Sequence, residues 1–299
     1  MAEFPVDGAA LDSLGTEEIL RLMNEEDRRV APAVEREIPR IARAVEIIAA
    51  ALGRGGRLFY VGAGTSGRLG VVDAAECPPT FGVSPEMVQA VIAGGLQAVA
   101  GAVEAAEDDE EAGRREIAGR DVSSRDVVVG ISASGSTPYT VAAVREARDR
   151  GAATIALCCV PGSPLARVAG LAICPVVGPE VLAGSTRLKA GTAQKMVLNM
   201  LSTAAMIRLG KVYRNFMIDL RPTNRKLWER ACHIVSRVAG VSPEVAERGL
   251  REAGGEARVA VVMLLGGMDA AEARMRLSQG GNSVRGALEG RAARSGMKP

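Results

Sequence analysis

At 299 residues, 47% of them hydrophobic, the chain is long enough for one sizeable domain plus a smaller one, each with an apolar core. A formal net charge of +2 removes the electrostatic case for nucleic acid or an anionic membrane as the main partner, since either favours a concentrated basic patch. A single histidine, His233, argues against a Ser-His-Asp triad or a histidine-rich metal centre, leaving carboxylates, lysines or thiols as acids and bases.

In chain order, the opening thirty residues show no basic start followed by an apolar stretch. No run reaches the roughly eighteen apolar residues of a membrane span, so a soluble cytoplasmic protein is expected. Residues 16–53 carry apolar positions at helical period (Ile19, Leu22, Met23, then Val34, Ile38, Ile41, Val45, Ile48), with Thr16, Glu17 and Glu18 near the start. This predicts a helical N-terminal arm whose apolar face at Val34, Ile38, Ile41 and Val45 offers a surface to bury in a homodimer. Short apolar runs at 57–61, 87–93, 126–131, 153–158 and 171–176 then alternate with amphipathic segments. That alternation predicts an α/β domain built on a five-stranded parallel sheet with helices on both faces.

The first and third of these runs end in loops of glycine and hydroxyl residues, GAGTSGR and SASGSTPYT, and each precedes helix-compatible sequence. Such turns aim free backbone N–H groups and a helix dipole at one point, where an anion settles. Gly64, Thr65 and Ser66 in the first loop, and Ser132, Ser134, Gly135, Ser136 and Thr137 in the second, are the candidate phosphate-binding residues. Gly62, Gly64 and Gly67 also satisfy the dinucleotide fingerprint G-x-G-x-x-G. The second strand, however, ends in Ile92-Ala93-Gly94-Gly95-Leu96-Gln97, without the carboxylate that holds a ribose. A second cradle is redundant for a dinucleotide but suits one phosphate held from two sides.

Further along, residues 189–209 predict a long core helix, and His233 lies in a helical stretch at 226–238, read as structural or surface. After Gly240, VSPEVAERGLREAG and MDAAEARMRLSQGG predict helices of a small appendage, each ended by glycine. Cys77, Cys158, Cys159, Cys174 and Cys232 form no C-x-x-C pair, which predicts buried reduced thiols rather than disulfides or a zinc site. Cys77, beside Glu76, has no histidine or lysine nearby in sequence to activate it and reads as packing.

The two loops resemble the sugar isomerase (SIS) domain that binds phosphosugars. The longer strings DAAECPPTFG (73–82), AVEAAED (102–108) and GSTRLKAGTAQKMVLNMLST (184–203) resemble the N-acetylmuramic acid 6-phosphate etherases, over a stretch running from the arm to about residue 228. The resemblance implies a flavodoxin-like SIS domain over 55–222, an arm over 1–54, and a C-terminal region over 223–299 with a small three-helix module. It implies loss of D-lactate from the phosphorylated muramic sugar, as part of cell-wall amino-sugar recycling, with Glu76 and Glu107 as the functional carboxylates. Taken without it, Glu76 is a helix-end glutamate before Pro78 and Pro79, which predict an extended exit, and Glu107 opens the solvated run EDDEE.

Lys189 and Arg187 are candidates to neutralise the sugar phosphate or the lactate carboxylate, with Ser185 beside them and Arg68 as a further anion contact. Glu180 lies where phosphosugar isomerases often carry a base. Where the family's second cradle commonly has arginine, this chain has Ser136. The expected chemistry needs no metal or redox cofactor, and relatives of this kind imply a homodimer with shared active sites. Two other classes stay in view: a non-catalytic phosphosugar-binding regulator resembling the regulator of glucokinase, and an aldose-ketose phosphosugar isomerase.

Overall fold

The computed structural model describes residues 10–103, 105–219, 222 and 224–295. The predicted outer regions extend into residues 1–9, 223 and 296–299, and AVEAAED includes residue 104, all of which lie outside this set. The chain divides into two compact units, Met1–Ala75 with Pro85–Ser202, and Glu76–Ser84 with Thr203–Pro299.

The first unit is built on strands β1 (Leu58–Gly62), β2 (Val88–Ile92), β3 (Val127–Ile131), β4 (Ala153–Leu157) and β5 (Leu171–Ile173). They form one 5-stranded parallel sheet in the order β2-β1-β3-β4-β5. Every position of β1 and β3 is buried, which is why both read as unbroken apolar runs rather than alternating ones. β5 stops early because Pro175 has no N–H to give and the N–H of Cys174 donates instead to Glu37 Oε2 at 3.0 Å.

The connecting helices are α1 (Thr16–Asp27), α2 (Val30–Glu35), α3 (Ile38–Gly53), α4 (Gly64–Phe81), α5 (Gln97–Ala100), α6 (Glu110–Gly119), α7 (Pro138–Asp149), α8 (Pro164–Val168) and α9 (Lys189–Arg208). Phe59, Val61 and Val128 face Ile117 of α6, Tyr139 and Val144 of α7 and Leu165 of α8 in one core cluster. On the opposite face α4 lies so close that a Cβ on Gly70 would stand 2.9 Å from Tyr60 Cβ and 3.3 Å from Ile131 Cδ1. The predicted arm is therefore three helices, and its apolar face is already used. Val34, Ile41 and Val45 are buried within the single chain, with α3 against β3 and β5, and only Ile38 remains exposed, at 49%. Of the four positions expected to face a second copy, three are thus covered by the chain itself.

Asp126, just before β3, ties the sheet's lower edge together by accepting from the backbone N–H of Arg57 (2.9 Å) and Ser123 (2.9 Å) and from the Arg57 guanidinium (3.0 Å). Burial pushes its carboxyl upward, but these bonds outweigh burial and hold it below its ordinary value. A depressed carboxylate stabilises the fold fully above its unfolded pKa of about 4, and that stabilisation is lost as pH falls through the lower folded value. Asp126→Asn is therefore expected to lower the melting temperature at pH 7 and to flatten its fall toward acid. An acid melting profile that keeps the wild-type slope would contradict this.

The second unit holds a hairpin, β6 (Val212–Tyr213) with β7 (Phe216–Met217), and helices α10 (Arg225–Ala239), α11 (Pro243–Glu252), α12 (Ala257–Gly266), α13 (Ala270–Gln279) and α14 (Val284–Ser295). α11 and α13 are the two helices legible after Gly240, each begun by a side-chain cap, Ser242 or Asp269. Between them α12 is buried on nearly all sides and supplies Val259, Ala260, Val261 and Val262 to the unit's core. Among the described residues, no helix is long and apolar enough to cross a membrane.

Candidate functional site

The order β2-β1-β3 sends the chain from β1 to one side and sets β3 on the other, so the carboxyl ends of β1 and β3 form the topological switch point where open α/β sheets bind ligands. Gly62 and Ile131 are paired there, bringing the two hydroxyl loops side by side. In the first, Gly64 has φ +51 and begins α4 directly after the strand. Helix and strand meet closely, since a Cβ on Gly67 would lie 2.7 Å from Gly62 O. The fingerprint glycines thus serve a tight strand-to-helix turn. Thr65 is half-buried, and buried Ser66 donates from Oγ to Gln194 Oε1 of α9 at 3.1 Å.

The second loop is held by its own hydroxyls. Ser132 Oγ and Thr137 Oγ1 lie 2.8 Å apart, as do Ser134 Oγ and Ser136 Oγ. The backbone N–H of Gly135 donates to Ser132 Oγ (3.1 Å) and that of Ser136 to Ser134 Oγ (3.2 Å). Ser132 is buried and supports the turn, whereas Ser134, Ser136 and Thr137 keep solvent access. Gly135, at φ +67, packs its α-carbon against Ser163.

At the head of α9 the structure spends two predicted ligand residues on the fold. The buried Glu180 carboxylate accepts from the backbone N–H of Lys189 (3.0 Å) and Ala190 (2.9 Å), capping the helix. Lys189 Nζ turns away to Glu26 Oε2 of α1 at 2.5 Å, in a pair whose side chains are each 2% exposed. Buried charges are held where they can pair, and this pair fastens α1 to α9. Among the described residues, Lys189→Met leaves Glu26 with the exposed Arg29 (3.1 Å) alone and should cost about 3 kcal/mol in urea unfolding; a loss near zero would contradict the structural role. Ser185 is half-buried and Arg187 exposed in the turns leading to α9. Asp73 of α4 accepts from Ser202 Oγ of α9 at 3.0 Å. Burial raises its carboxyl, while the hydroxyls of Tyr60 and Ser202 oppose the rise. Gln194, Asp73 and Ser202 carry no sequence signal of their own, since each bond joins α4 to α9 across more than 120 positions of chain.

Glu107 is exposed in a short 3-10 turn, Ala106–Asp108, that follows Ala105 in the left-handed conformation at φ 64. That conformation costs a non-glycine residue roughly 1–2 kcal/mol, so the turn is held in place by its surroundings. Arg68 supplies part of the hold: its guanidinium donates to the carbonyls of Val99 (3.2 Å) and Gly101 (2.5 Å) instead of standing free for an anion. Gly64, Arg68, Ala105 and Glu107 line one cavity of about 210 Å³, which joins Glu107 to the first loop. The rest of the acidic run begins α6. Asp109 accepts from the backbone N–H of Ala112 at 2.8 Å, and Glu110 and Glu111 pair with Arg114.

Glu76 is exposed on α4, the helix that starts in the first loop. The expected extended exit is absent: Pro78 and Pro79 lie inside α4, which runs on to Phe81 and closes with Gly82 N–H donating to Pro78 O at 3.0 Å. Each proline removes an N–H that would otherwise bond the carbonyl four residues back, at Ala74 and Ala75, so α4 continues through them against local preference. Cys77 is buried, as a packing residue should be, and His233 is exposed on α10. Among the described residues, no group of three or more His, Cys, Asp or Glu side chains is placed to hold a metal ion. A larger cavity of about 490 Å³ in the second unit carries Lys211 and Arg258, both paired with Asp219 at 2.6 and 3.3 Å.

Three family models match this chain: the SIS domain over residues 99–204, the glucokinase regulatory protein N-terminal SIS domain over 40–147, and the C-terminal lid domain of glucokinase regulatory protein over 214–253. A solved Escherichia coli CFT073 protein in complex with A5P is 20% identical, with 67% of this chain and 96% of that one covered, at a TM-score of 0.49. Curated relatives are far nearer. The N-acetylmuramic acid 6-phosphate etherases of Rubrobacter xylanophilus (55% identical, 95% of this chain and 94% of that one), Geobacillus thermodenitrificans (54%, 93% and 95%) and Salmonella agona (53%, 93% and 94%) align along almost their whole lengths. With an SIS-type sheet, two hydroxyl loops at its switch point and more than half of its aligned residues shared with these proteins, the chain belongs to the N-acetylmuramic acid 6-phosphate etherase family.

Proposed function

We propose that this protein cleaves the ether joining C3 of N-acetylmuramic acid 6-phosphate to its D-lactyl group, giving N-acetylglucosamine 6-phosphate and D-lactate. The identity of 53–55% to etherases over at least 93% of the chain carries the reading. The geometry of the first unit supports it, because Glu107 shares a cavity with the first cradle. In the open-chain sugar the C1 aldehyde acidifies the C2 hydrogen, and the lactyl oxygen on C3 is in the β position. A carboxylate takes the C2 proton, the C3–O bond breaks, and the departing lactate oxygen is protonated. Water then adds to C3 of the unsaturated aldehyde and a proton returns to C2. The aldehyde itself supplies the electron sink, so the chemistry calls for neither a metal nor a redox cofactor.

In this reading Glu76 is the principal acid and base, serving both proton transfers of a syn elimination from one face, and Glu107 assists ring opening or activates water. The loops at 64–66 and 132–137 hold the 6-phosphate, largely through backbone N–H groups and hydroxyls. Glu180 and Lys189 act on the substrate indirectly, by fixing the head of α9, while Ser185 contacts it directly. A homodimer with shared sites, a cytoplasmic location and a place in cell-wall recycling belong to the same proposal. A fully active monomer in light scattering would remove the dimer from it.

The decisive assay is purified protein with the phosphorylated muramic sugar. Stoichiometric D-lactate is expected. Matches to the glucokinase regulatory protein models favour a second reading, a non-catalytic phosphosugar sensor, which would bind the sugar phosphate and release nothing. A ketose product without lactate would instead mark an aldose-ketose isomerase.

A further inference from the structure

We infer that Cys158 and Cys174 form a peroxide-oxidisable dithiol, closing to an intramolecular disulfide that disturbs the second phosphate loop. The pairing of Leu157 with Ile173 at the ends of β4 and β5 places the next residues of both strands opposite each other. Cys158 N–H donates to Ile173 O at 3.1 Å, and the two sulfurs stand 3.4 Å apart. Neighbouring strands lie about 4.8 Å apart, within the Cα separation of roughly 4.4–6.8 Å that a disulfide spans. Closing the 3.4 Å gap to a bond of about 2.0 Å asks for small side-chain rotations.

The other cysteines are differently placed. Cys77 is buried, and burial pushes the Cys159 thiol up to about 12, keeping it protonated. Within the pair, the hydrogen bond from Cys174 brings Cys158 down to about 7 against the effect of burial, helped by Ser163, and Cys174 is held high in return. Cys158 is thus the sulfur that gives up its proton more readily, and Cys174 the one that keeps its own. Cys158 is buried and Cys174 partly exposed, so peroxide reaches the Cys158 sulfur past Cys174.

The reaction balances with hydrogen peroxide as oxidant. One sulfur attacks a peroxide oxygen, the O–O bond breaks, and hydroxide leaves with a proton as water, giving a sulfenic acid. The second sulfur attacks that sulfenic sulfur, the S–S bond forms, the S–O bond breaks, and a second water leaves. The two thiols together lose two electrons and two protons, and the peroxide is reduced to two waters.

The loop feels this change because it rests on the segment after β4. Ser163 Oγ donates to Cys158 Sγ at 3.4 Å, and the same oxygen would stand 2.1 Å from a Cβ on Gly135. Cys159 N–H donates to Ala133 O and Leu165 N–H to Gly135 O, both at 2.9 Å. A disulfide draws Cys158 toward β5 and pulls its sulfur from the Ser163 hydroxyl.

The consequence for binding rests on the phosphosugar reading of the loop; the disulfide does not. Full-length protein is treated with hydrogen peroxide, its free thiols are alkylated, and the digest is mapped by mass spectrometry. In parallel, N-acetylglucosamine 6-phosphate is titrated into reduced, oxidised and dithiothreitol-rescued protein. A peptide linking Cys158 to Cys174 is expected, absent from Cys158→Ser and Cys174→Ala. The second variant, at the more exposed position, keeps the test decisive if the first fails to fold. Affinity is expected to fall about tenfold on oxidation and to return with the reductant. Recovery of both cysteines alkylated, or as sulfinic acids without a link, would overturn the site. A link formed with affinity unchanged would overturn the coupling. Reduced protein that binds no sugar phosphate would contradict the phosphosugar reading instead, and the linked peptide would still decide the disulfide.

Discussion

Glu76→Gln is expected to lower kcat for lactate release by about 100- to 10 000-fold, with KM changed far less. The amide keeps the size and hydrogen-bonding reach of the carboxylate and occupies an exposed helical position, so the fold should be indifferent to it. What it loses is the ability to accept a proton from C2. Deuterium exchange at C2 of N-acetylglucosamine 6-phosphate in heavy water should therefore fall together with lactate release. Glu107→Gln is expected to bring a comparable loss of turnover, again with an unchanged melting temperature. A variant that turns over at the wild-type rate would take that residue out of the mechanism.

Gly135→Ala should be the most damaging single methyl group in the cradle. Its φ of +67 is already unfavourable for alanine, and the new Cβ would lie 2.1 Å from Ser163 Oγ, 2.5 Å from Ser163 Cβ and 3.3 Å from Cys158 Cβ. Backbone strain and overpacking together should cost about 2–4 kcal/mol in urea unfolding and raise KM for the phosphosugar. Gly64→Ala provides the comparison. It has φ +51 but nothing within 4 Å of the new carbon, so only the conformational cost of roughly 1–2 kcal/mol applies. Equal destabilisation of the two variants would show that Ser163 yields and that the loop is not held as described.

The parallel sheet was legible because its central strands are buried on both faces: Val127-Val128-Val129 can read as little else between a polar turn and Gly130. The two hydroxyl loops were legible for a related reason, as glycine and serine must gather where a strand turns sharply into a helix. Helix α12 was harder to see, since a segment apolar on nearly every side has no periodicity to detect. The acidic run is the solvated face that its composition predicts, exposed at every position, and within it the N-cap Asp109 and the Glu-Arg pairs begin α6 and set Glu107 apart from the rest. Lys189 reads as a ligand group because a cation near a cradle is ordinarily there for an anion, and Glu180 because phosphosugar isomerases often carry a base at that place. The partner that claims Lys189, Glu26, stands 163 positions away, and only the folded chain brings the two together. The arm misleads in the same way: Val34, Ile41 and Val45 form an apolar stripe that the chain itself buries, with α3 against β3 and β5.

The elimination and hydration chemistry is tested most directly by turnover of N-acetylmuramic acid 6-phosphate in water enriched in oxygen-18, with both products examined by mass spectrometry. The predicted outcome is one labelled oxygen on C3 of the sugar and unlabelled lactate. Label in the lactate, or no lactate at all, would contradict it.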